Sequence, residues 1–431
     1  MSPSQSKFFH GWYIVIGSFL IMMTCYPVFV GCLGLFTIPI TTDLGISRSE
    51  FNLCISIMNI VGMCASAFIG KIIDRFDLRI VGTLIIIILG CDFIGWSFVQ
   101  NLWQLYALSF IAGFVAVAGT RLMVSIVIAN WFDKKRGLAT GIALTGSGVG
   151  SAVLTQIIVR LIAAYGWRMT FVYLAGIAAV CTLPFVITTF YNKPEKIGLK
   201  PYGKNNLNET GKIDNDELNT IEIGWKFVRK SRAFYLLTFG LFLCGAINGG
   251  IIYNVFPALK SAGLDAHFLA NVMTGWFLVV VVGKLLLGEI YDRFGFIVGT
   301  SFGCITTILG TAAVLLPNMV GAVGFALFFG LGTCMGTVTP SILTAAEFGK
   351  KDLGQIVGIV VAIEIVGVAV GSPLCSAVYD FFGSYTGGWI ILVIAGLVMQ
   401  AALYLSVKES RKFRAQFTKE FKMDVIEGVK Q

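Results

Sequence analysis

The chain has 431 residues, of which 56% are hydrophobic and 13% charged, and its mean hydropathy is +0.84. A soluble domain carries about 25% charged residues, so this composition belongs in a lipid bilayer and argues against a soluble enzyme. The net charge of +9 would suit a nucleic-acid binder, but the charges sit in loops at one membrane face, and no nucleic-acid partner is expected.

In chain order, apolar stretches near the ~20 residues needed to cross a membrane fall at 12–36, 50–72, 79–99, 103–129, 138–161 and 168–191. The first is too long for the ~7–15-residue core of a signal peptide and reads as a retained span. A polar stretch follows, and its end, 221–228, could lie as a short interfacial helix. Six more apolar stretches follow at 233–257, 268–290, 297–317, 320–346, 354–379 and 387–407. The expected fold is all-α with twelve transmembrane helices. It divides into a six-helix bundle over 1–191, a linker over 192–232, a second bundle over 233–407 and a tail over 408–431.

Basic residues concentrate in alternate loops: Lys71, Arg75 and Arg79, then Lys134, Lys135 and Arg136, then the linker, Arg293, Lys350, Lys351 and the tail. The other loops hold little beyond Arg48, Arg168 and Lys260. By the positive-inside rule both termini face the cytoplasm. All ten cysteines fall in apolar stretches without metal-ligand spacing, so they read as small core residues, and no metal or cofactor is expected.

The halves repeat one another. Gly70-Lys-Ile-Ile-Asp74-Arg75-Phe76 recurs as Gly288-Glu-Ile-Tyr-Asp292-Arg293-Phe294. Gly166-Trp167 recurs as Gly388-Trp389, and Lys134-Lys135 as Lys350-Lys351. A duplicated bundle of membrane helices is the architecture of a secondary transporter.

The Gly-x-x-x-Asp-Arg-Phe loop, closed by Arg79, resembles the signature loop of the major facilitator superfamily, and the resemblance extends over essentially the whole chain. It implies gating roles for Asp74, Arg75, Arg79, Asp292 and Arg293. A carboxylate there can accept N–H groups at the start of a helix in the opposite half, which favours one of two states; the alternative is that these residues only cap a tight turn. The segment from Trp131-Phe132 through Lys134-Lys135-Arg136 to Leu138-Ala139, Gly141 and Gly146 is similar to the pattern of monocarboxylate porters and oxalate–formate antiporters. His10 replaces the acidic residue that animal members of that branch carry before span 1, so a coupling role for that acid is not supported.

Four ionisable residues lie within spans: Asp92, Arg121, Lys284 and Glu364. Intramembrane charges are costly and mark functional sites by default. In the antiporter branch a substrate-binding Arg occupies the place of Lys284 and a substrate-binding Lys that of Glu364, so one cation is kept and one reversed in sign. Arg121 replaces a cavity aromatic. Arg121 and Lys284 against Glu364 leave one positive charge, enough to balance one carboxylate. The expected mechanism pairs Glu364 with Lys284 in the empty carrier. Protonation of Glu364 then releases Lys284 to the substrate carboxylate while Arg121 completes the clamp. Each charge also has a bland reading: Lys284 snorkelling, Arg121 bonded to a carbonyl, Glu364 merely a partner of Lys284. Asp92 reads as a structural hydrogen-bonding group. Tyr26, Asn248, Tyr253, Asn254 and Thr337 are softer candidates for contacting substrate, with bends expected at Gly249-Gly250 and Pro340.

The sequence therefore predicts a monomeric, multi-pass carrier in the plasma membrane. It moves a small organic anion, a monocarboxylate before others, together with protons by alternating access. Carboxylate exchange is the alternative, and a non-transporting sensor on the same fold stands behind both. No P-loop, zinc motif or nucleophile elbow supports an enzyme.

Overall fold

The computed structural model describes residues 9–75, 78–117, 119–120, 123–132, 136–191, 194, 198–199, 202, 223–349 and 352–428. At 66–75, 117, 125–126, 129, 136–137, 341, 353–354 and 415–428 it describes backbone alone. Among these residues the protein is helical throughout, save for an isolated bridge between Phe132 and Tyr202. Span 1 is α1 (Gly11–Thr24) followed by α2 (Tyr26–Val30), with Pro27 at the joint. Spans 2 and 3 are α4 (Arg48–Arg75) and α5 (Leu78–Ser97), reached through the short α3 (Thr37–Leu44). Span 4 holds α6 (Leu102–Val117) and α7 (Met123–Trp131).

The helix α8 (Arg136–Thr189) contains both spans 5 and 6. It turns at Gly166, whose φ of 75° lies in the left-handed region that a side chain disfavours. The first copy of the Gly-Trp landmark therefore marks a turn; in the second copy Gly388 lies inside a helix and the left-handed residue is Gly383, at φ 68°.

In the second half, α9 (Trp225–Val228) precedes α10 (Arg232–Ser261), α11 (Ala266–Phe294) and α12 (Phe296–Ala313) as spans 7 to 9. Span 10 is broken into α13 (Met319–Gly332) and α14 (Met335–Phe348). The chain then runs through α15 (Leu353–Phe382) and α16 (Thr386–Gly428). Nine of the described helices are long and apolar enough to span on their own. One of the nine, α8, supplies two spans, and the remaining two are covered by α4 and by α6 with α7.

Each half is built around one glycine seam. In the first half, Cβ atoms at Gly146 and Gly150 of α8 would overlap the carbonyls of Phe19 and Met23 on α1. In the second, Gly367 and Gly371 of α15 face the carbonyls of Phe242 and Ala246 on α10, while Gly245 and Gly249 of α10 face those of Glu364 and Val368. Both are small-x-x-x-small pairings, which let helix backbones touch where lipid supplies no hydrophobic force between helices.

The halves meet through α4 against α15 and α8 against α11. Their hydrogen bonds gather at the end away from the termini. There Arg48 N and Ser49 N donate to the two Asp380 carboxylate oxygens at 3.2 and 2.8 Å. The Arg48 guanidinium donates to Tyr385 Oη (3.1 Å) and Ser261 Oγ (2.8 Å) and lies 3.9 Å over the Tyr379 ring. One layer deeper, Asn52 donates to Asn254 Oδ1 (3.0 Å) and to Ser376 Oγ, and Ser56 donates to the Ala369 carbonyl. On the other seam Gln156 Nε2 donates to Asn271 Oδ1 at 2.9 Å and Thr274 Oγ1 at 3.1 Å. The molecule is therefore closed at the far end.

Candidate substrate and coupling site

The break in span 10 organises the centre of the second half. Pro340 lies inside α14 and has no N–H, so the carbonyl of Gly336, one turn earlier, has no helical donor. The Glu364 carboxylate sits against this point. A Cβ at Gly336 would overlap Glu364 Oε1 and stand 2.9 Å from Asn248 Nδ2. Asn248 Oδ1 accepts from Thr333 Oγ1 at 2.9 Å, which ties α10 to the break itself. Lys284 of α11 comes near the same break. Its neighbour Gly283 packs where a Cβ would lie 2.9 Å from Cys334 Sγ, and its ammonium is within electrostatic reach of that thiol. Cys334 and Gly336 are two residues apart, so the acid and the base both lie near the break in span 10. Both side chains are half-buried.

Other candidates divide between this centre and the seams. Tyr253 is buried on α10, with Tyr26 and Asn59 of the first half within reach of its ring hydroxyl. Thr337 Oγ1 donates to the Cys334 carbonyl at 3.1 Å, closing the turn after the break. Asn254 belongs elsewhere. Its Oδ1 accepts from Asn52 and from Ser376 Oγ (2.6 Å), and its Nδ2 donates to the carbonyls of Gly250 (2.9 Å) and Ser372 (3.1 Å). One of these bonds, from Asn52, crosses between the halves and the others tie α10 to itself and to α15, so Asn254 sits in a structural layer rather than beside Glu364.

Arg121 lies outside the described residues, as do the side chains of Asp74 and Arg75; the backbone of the latter two forms the last turn of α4. The Arg79 guanidinium stacks 4.3 Å over the Tyr191 ring within its own half. In the second copy of the motif Asp292 is exposed, and Arg293 pairs with Glu289 one turn earlier on the same helix. Asp92 is 3% exposed, and neither oxygen makes a hydrogen bond of standard geometry among the described residues. The structural hydrogen bond expected of it is thus not seen, although Trp96, one turn on, faces it. His10 packs against the rings of Trp131, Tyr191 and Tyr13. No group of three or more potential metal ligands occurs among the described residues.

The sequence reading missed three features: the Arg48–Asp380 contact, the Asn248–Thr333 bond and the pocket that Gly336 leaves for a carboxylate. Arg48 stood out only as an isolated charge in a loop otherwise poor in them. Gly336, one turn before a proline within a span, was the available signal for the third.

The family model of the Major Facilitator Superfamily matches residues 14–347 and 241–428. Among curated proteins, the Bacillus subtilis (strain 168) protein called Uncharacterized MFS-type transporter YcxA is 24% identical over 400 residues, covering 90% of this chain and 92% of that protein. Human Monocarboxylate transporter 1 is 24% identical over 425 residues, covering 90% of this chain and 84% of that protein. Among solved structures, a bacterial homologue of the human lysosomal transporter Spinster, inward-facing and unoccupied, superposes with a TM-score of 0.73 at 14% identity, over 95% of this chain and 99% of that one. The nucleoside transporter NupG gives 0.68 at 12% identity, over 93% of this chain and 100% of that one. At such identities the structural likeness speaks to the fold alone. The duplicated motif, the helical architecture and the family match agree: this chain is an integral membrane transporter of the Major Facilitator Superfamily.

Proposed function

We propose that the protein carries a small organic anion, a monocarboxylate before others, together with a proton by alternating access. The observation that supports this most is that Glu364 and Lys284 both lie near the break in span 10. A fixed cation in a low-dielectric site needs a counter-charge in both empty and loaded states. Glu364 supplies it when empty, and the substrate carboxylate supplies it when loaded, provided Glu364 is then neutralised by a proton. Arg121 from the first half completes the clamp, with Tyr26, Tyr253 and Asn248 as neutral hydrogen-bonding partners.

Closure at the end away from the termini supports reading this as one of two alternating states. Opening would break the Arg48–Asp380 contact and allow Asp74, Arg75, Arg79, Asp292 and Arg293 to engage at the opposite end. The excess of basic residues there supports an orientation with both termini in the cytoplasm; on this reading the protein works as a monomer in the plasma membrane. The similarity to proteins named monocarboxylate transporters supports the substrate class.

Uptake of labelled lactate, pyruvate, formate and oxalate into proteoliposomes, with and without an inward proton gradient, tests the proposal. Gradient-driven uptake of a monocarboxylate that Glu364→Gln uncouples is the expected result. Uptake that needs only counter-substrate and ignores both pH and Glu364→Gln would replace symport with exchange.

A further inference from the structure

One cluster of charge lies outside the transport pathway. Where α9 leads into α10, Lys226, Arg229, Lys230 and Arg232 follow one another within two turns, all exposed. The neighbouring stretch of α16 carries Lys408, Arg411, Lys412 and Arg414. These eight cations are one group. Ser406 Oγ donates to the Ala233 carbonyl at 2.9 Å and pins α16 to the start of α10. Glu409, the single acid in the two stretches, is bonded to Lys412 at 2.6 Å and lies within electrostatic reach of both Arg232 and Lys408. Among the described residues, two other acids pack nearby and both are committed. Glu347 is 2% exposed, with both carboxylate oxygens facing Ser406 Oγ (3.0 and 2.9 Å), and Asp352 Oδ2 accepts from Trp225 N at 3.0 Å.

Two details distinguish this cluster from a topological excess of positive charge. First, Arg411, Arg414, Ser410 and Glu347, whose carboxylate accepts from Ser406, line a cavity of about 160 Å³ between α12, α14 and α16, and Arg414 Nη1 is fixed by the Ala346 carbonyl at 2.6 Å. A guanidinium held in place presents a planar fork that matches phosphate geometry. Second, an apolar wall adjoins the cations on the membrane side. Tyr235 and Phe239, one turn apart on α10, are 62% and 48% exposed, and Tyr404 and Leu405 of α16 are each 44% exposed. A ligand with a phosphate at one end and hydrocarbon at the other fits both.

We propose that this junction is a binding site for an anionic phospholipid of the leaflet on the termini side. Its phosphate sits between Arg411 and Arg414, the surrounding lysines and arginines supply the long-range attraction, and an acyl chain runs along Tyr235 and Phe239. The inference does not depend on which solute is carried.

Native mass spectrometry of the purified full-length chain tests it, using phosphatidylglycerol and phosphatidylcholine with matched acyl chains. The wild type should retain phosphatidylglycerol at least fivefold better. Arg411→Lys with Arg414→Lys keeps every charge but removes both forks, and should abolish most of that preference. Arg160→Lys, at the far end of the molecule, should not. If the double variant fails to fold, Arg411→Lys alone should still lower the preference. Equal retention of the two lipids by the wild type would overturn the proposal, as would a preference indifferent to the arginine-to-lysine changes. Displacement of phosphatidylglycerol by millimolar inorganic phosphate would overturn it too, by showing a site for the soluble ion.

Discussion

Asp380 near the end of α15 caps the start of α4: its two oxygens accept from Arg48 N and Ser49 N across the boundary between the halves. A helix start offers unpaired N–H groups and a partial positive charge, so a carboxylate from the opposite half holds the two together. The same Arg48 reaches Ser261 and Tyr385, so one residue touches α10, α15 and the turn that leads into α16.

Loss of this contact should shift the molecule towards a form open at that end. Asp380→Asn weakens the cap on the main-chain N–H groups, and Arg48→Ala takes away the guanidinium bonds to Tyr385 and Ser261; each removes about 1 kcal/mol of exposed charge-assisted bonding, roughly a fivefold change in the ratio of the two forms. Hydrogen exchange followed by mass spectrometry should show faster exchange over residues 48–52 and 376–380, with the termini end slowed or unchanged. Unaltered exchange at 48–52 would show that the contact does not bias the equilibrium.

Gly336 should prove as sensitive as Glu364. A methyl at 336 overlaps Glu364 Oε1 and crowds Asn248 Nδ2, so Gly336→Ala displaces the carboxylate. Uptake should then lose its dependence on the proton gradient, as in Glu364→Gln. Gly358→Ala on the same helix as Glu364 meets nothing within 4 Å and should retain it.

Asn254 should behave as a structural residue. Asn254→Leu leaves the Asn52 amide and Ser376 hydroxyl with lost partners in a buried layer, a cost of ~1–3 kcal/mol. The double variant Asn52→Leu, Asn254→Leu should recover part of that loss in a thermal-stability assay in detergent. A substrate-binding Asn254 would instead leave stability untouched and weaken uptake.

The glycine seam of the second half should tolerate no side chain. Gly245→Val or Gly371→Val forces α10 and α15 apart and should cost ~1–3 kcal/mol or prevent folding altogether. Gly275→Ala, which meets nothing within 4 Å inside α11, should be neutral or gain up to ~1 kcal/mol from helix propensity. Thermal unfolding of the three variants makes the comparison.

The start of α11 carries a pH dependence of known sign. Asp265 accepts from Phe268 N at 2.9 Å, and that bond holds its carboxyl below the usual carboxylate range. A lowered folded value means the cap is present above the ordinary aspartate range and is lost as pH falls through the folded value. Exchange of the amides of residues 266–269 should therefore accelerate in acid relative to the neighbouring turns, and Asp265→Ala should remove that acid-specific component.

Much of the architecture was legible because lipid simplifies the code. Apolar stretches of membrane length marked the spans, and the repeated Gly-x-x-x-Asp-Arg-Phe segments marked the duplication. The intramembrane charges were legible for the same reason: an acid such as Glu364 is conspicuous among valines and isoleucines. What stayed hidden was pairing across long sequence separations. Nothing local in Asn254 says that it bonds Asn52, and its amide looked equally suited to a substrate. Nor does Gly336 announce that its missing side chain makes room for Glu364. Periodicity reports which face of a helix is apolar, not which residue of another helix will stand opposite.

The seams at Gly146 and Gly150, and at Gly245, Gly249, Gly367 and Gly371, oppose side-chain space to main-chain carbonyls. When a crowded neighbour is a side chain, a second substitution can shrink it and restore the fit. A carbonyl oxygen has no smaller replacement. These six positions therefore admit no compensating partner: a random-mutagenesis library selected for function should return them as glycine with few exceptions, and second-site suppressors of changes there should be rare. The lipid-facing columns of the same helices should drift freely among apolar residues. The record of substitution in such a library would trace the two lines along which this protein can never separate its own helices.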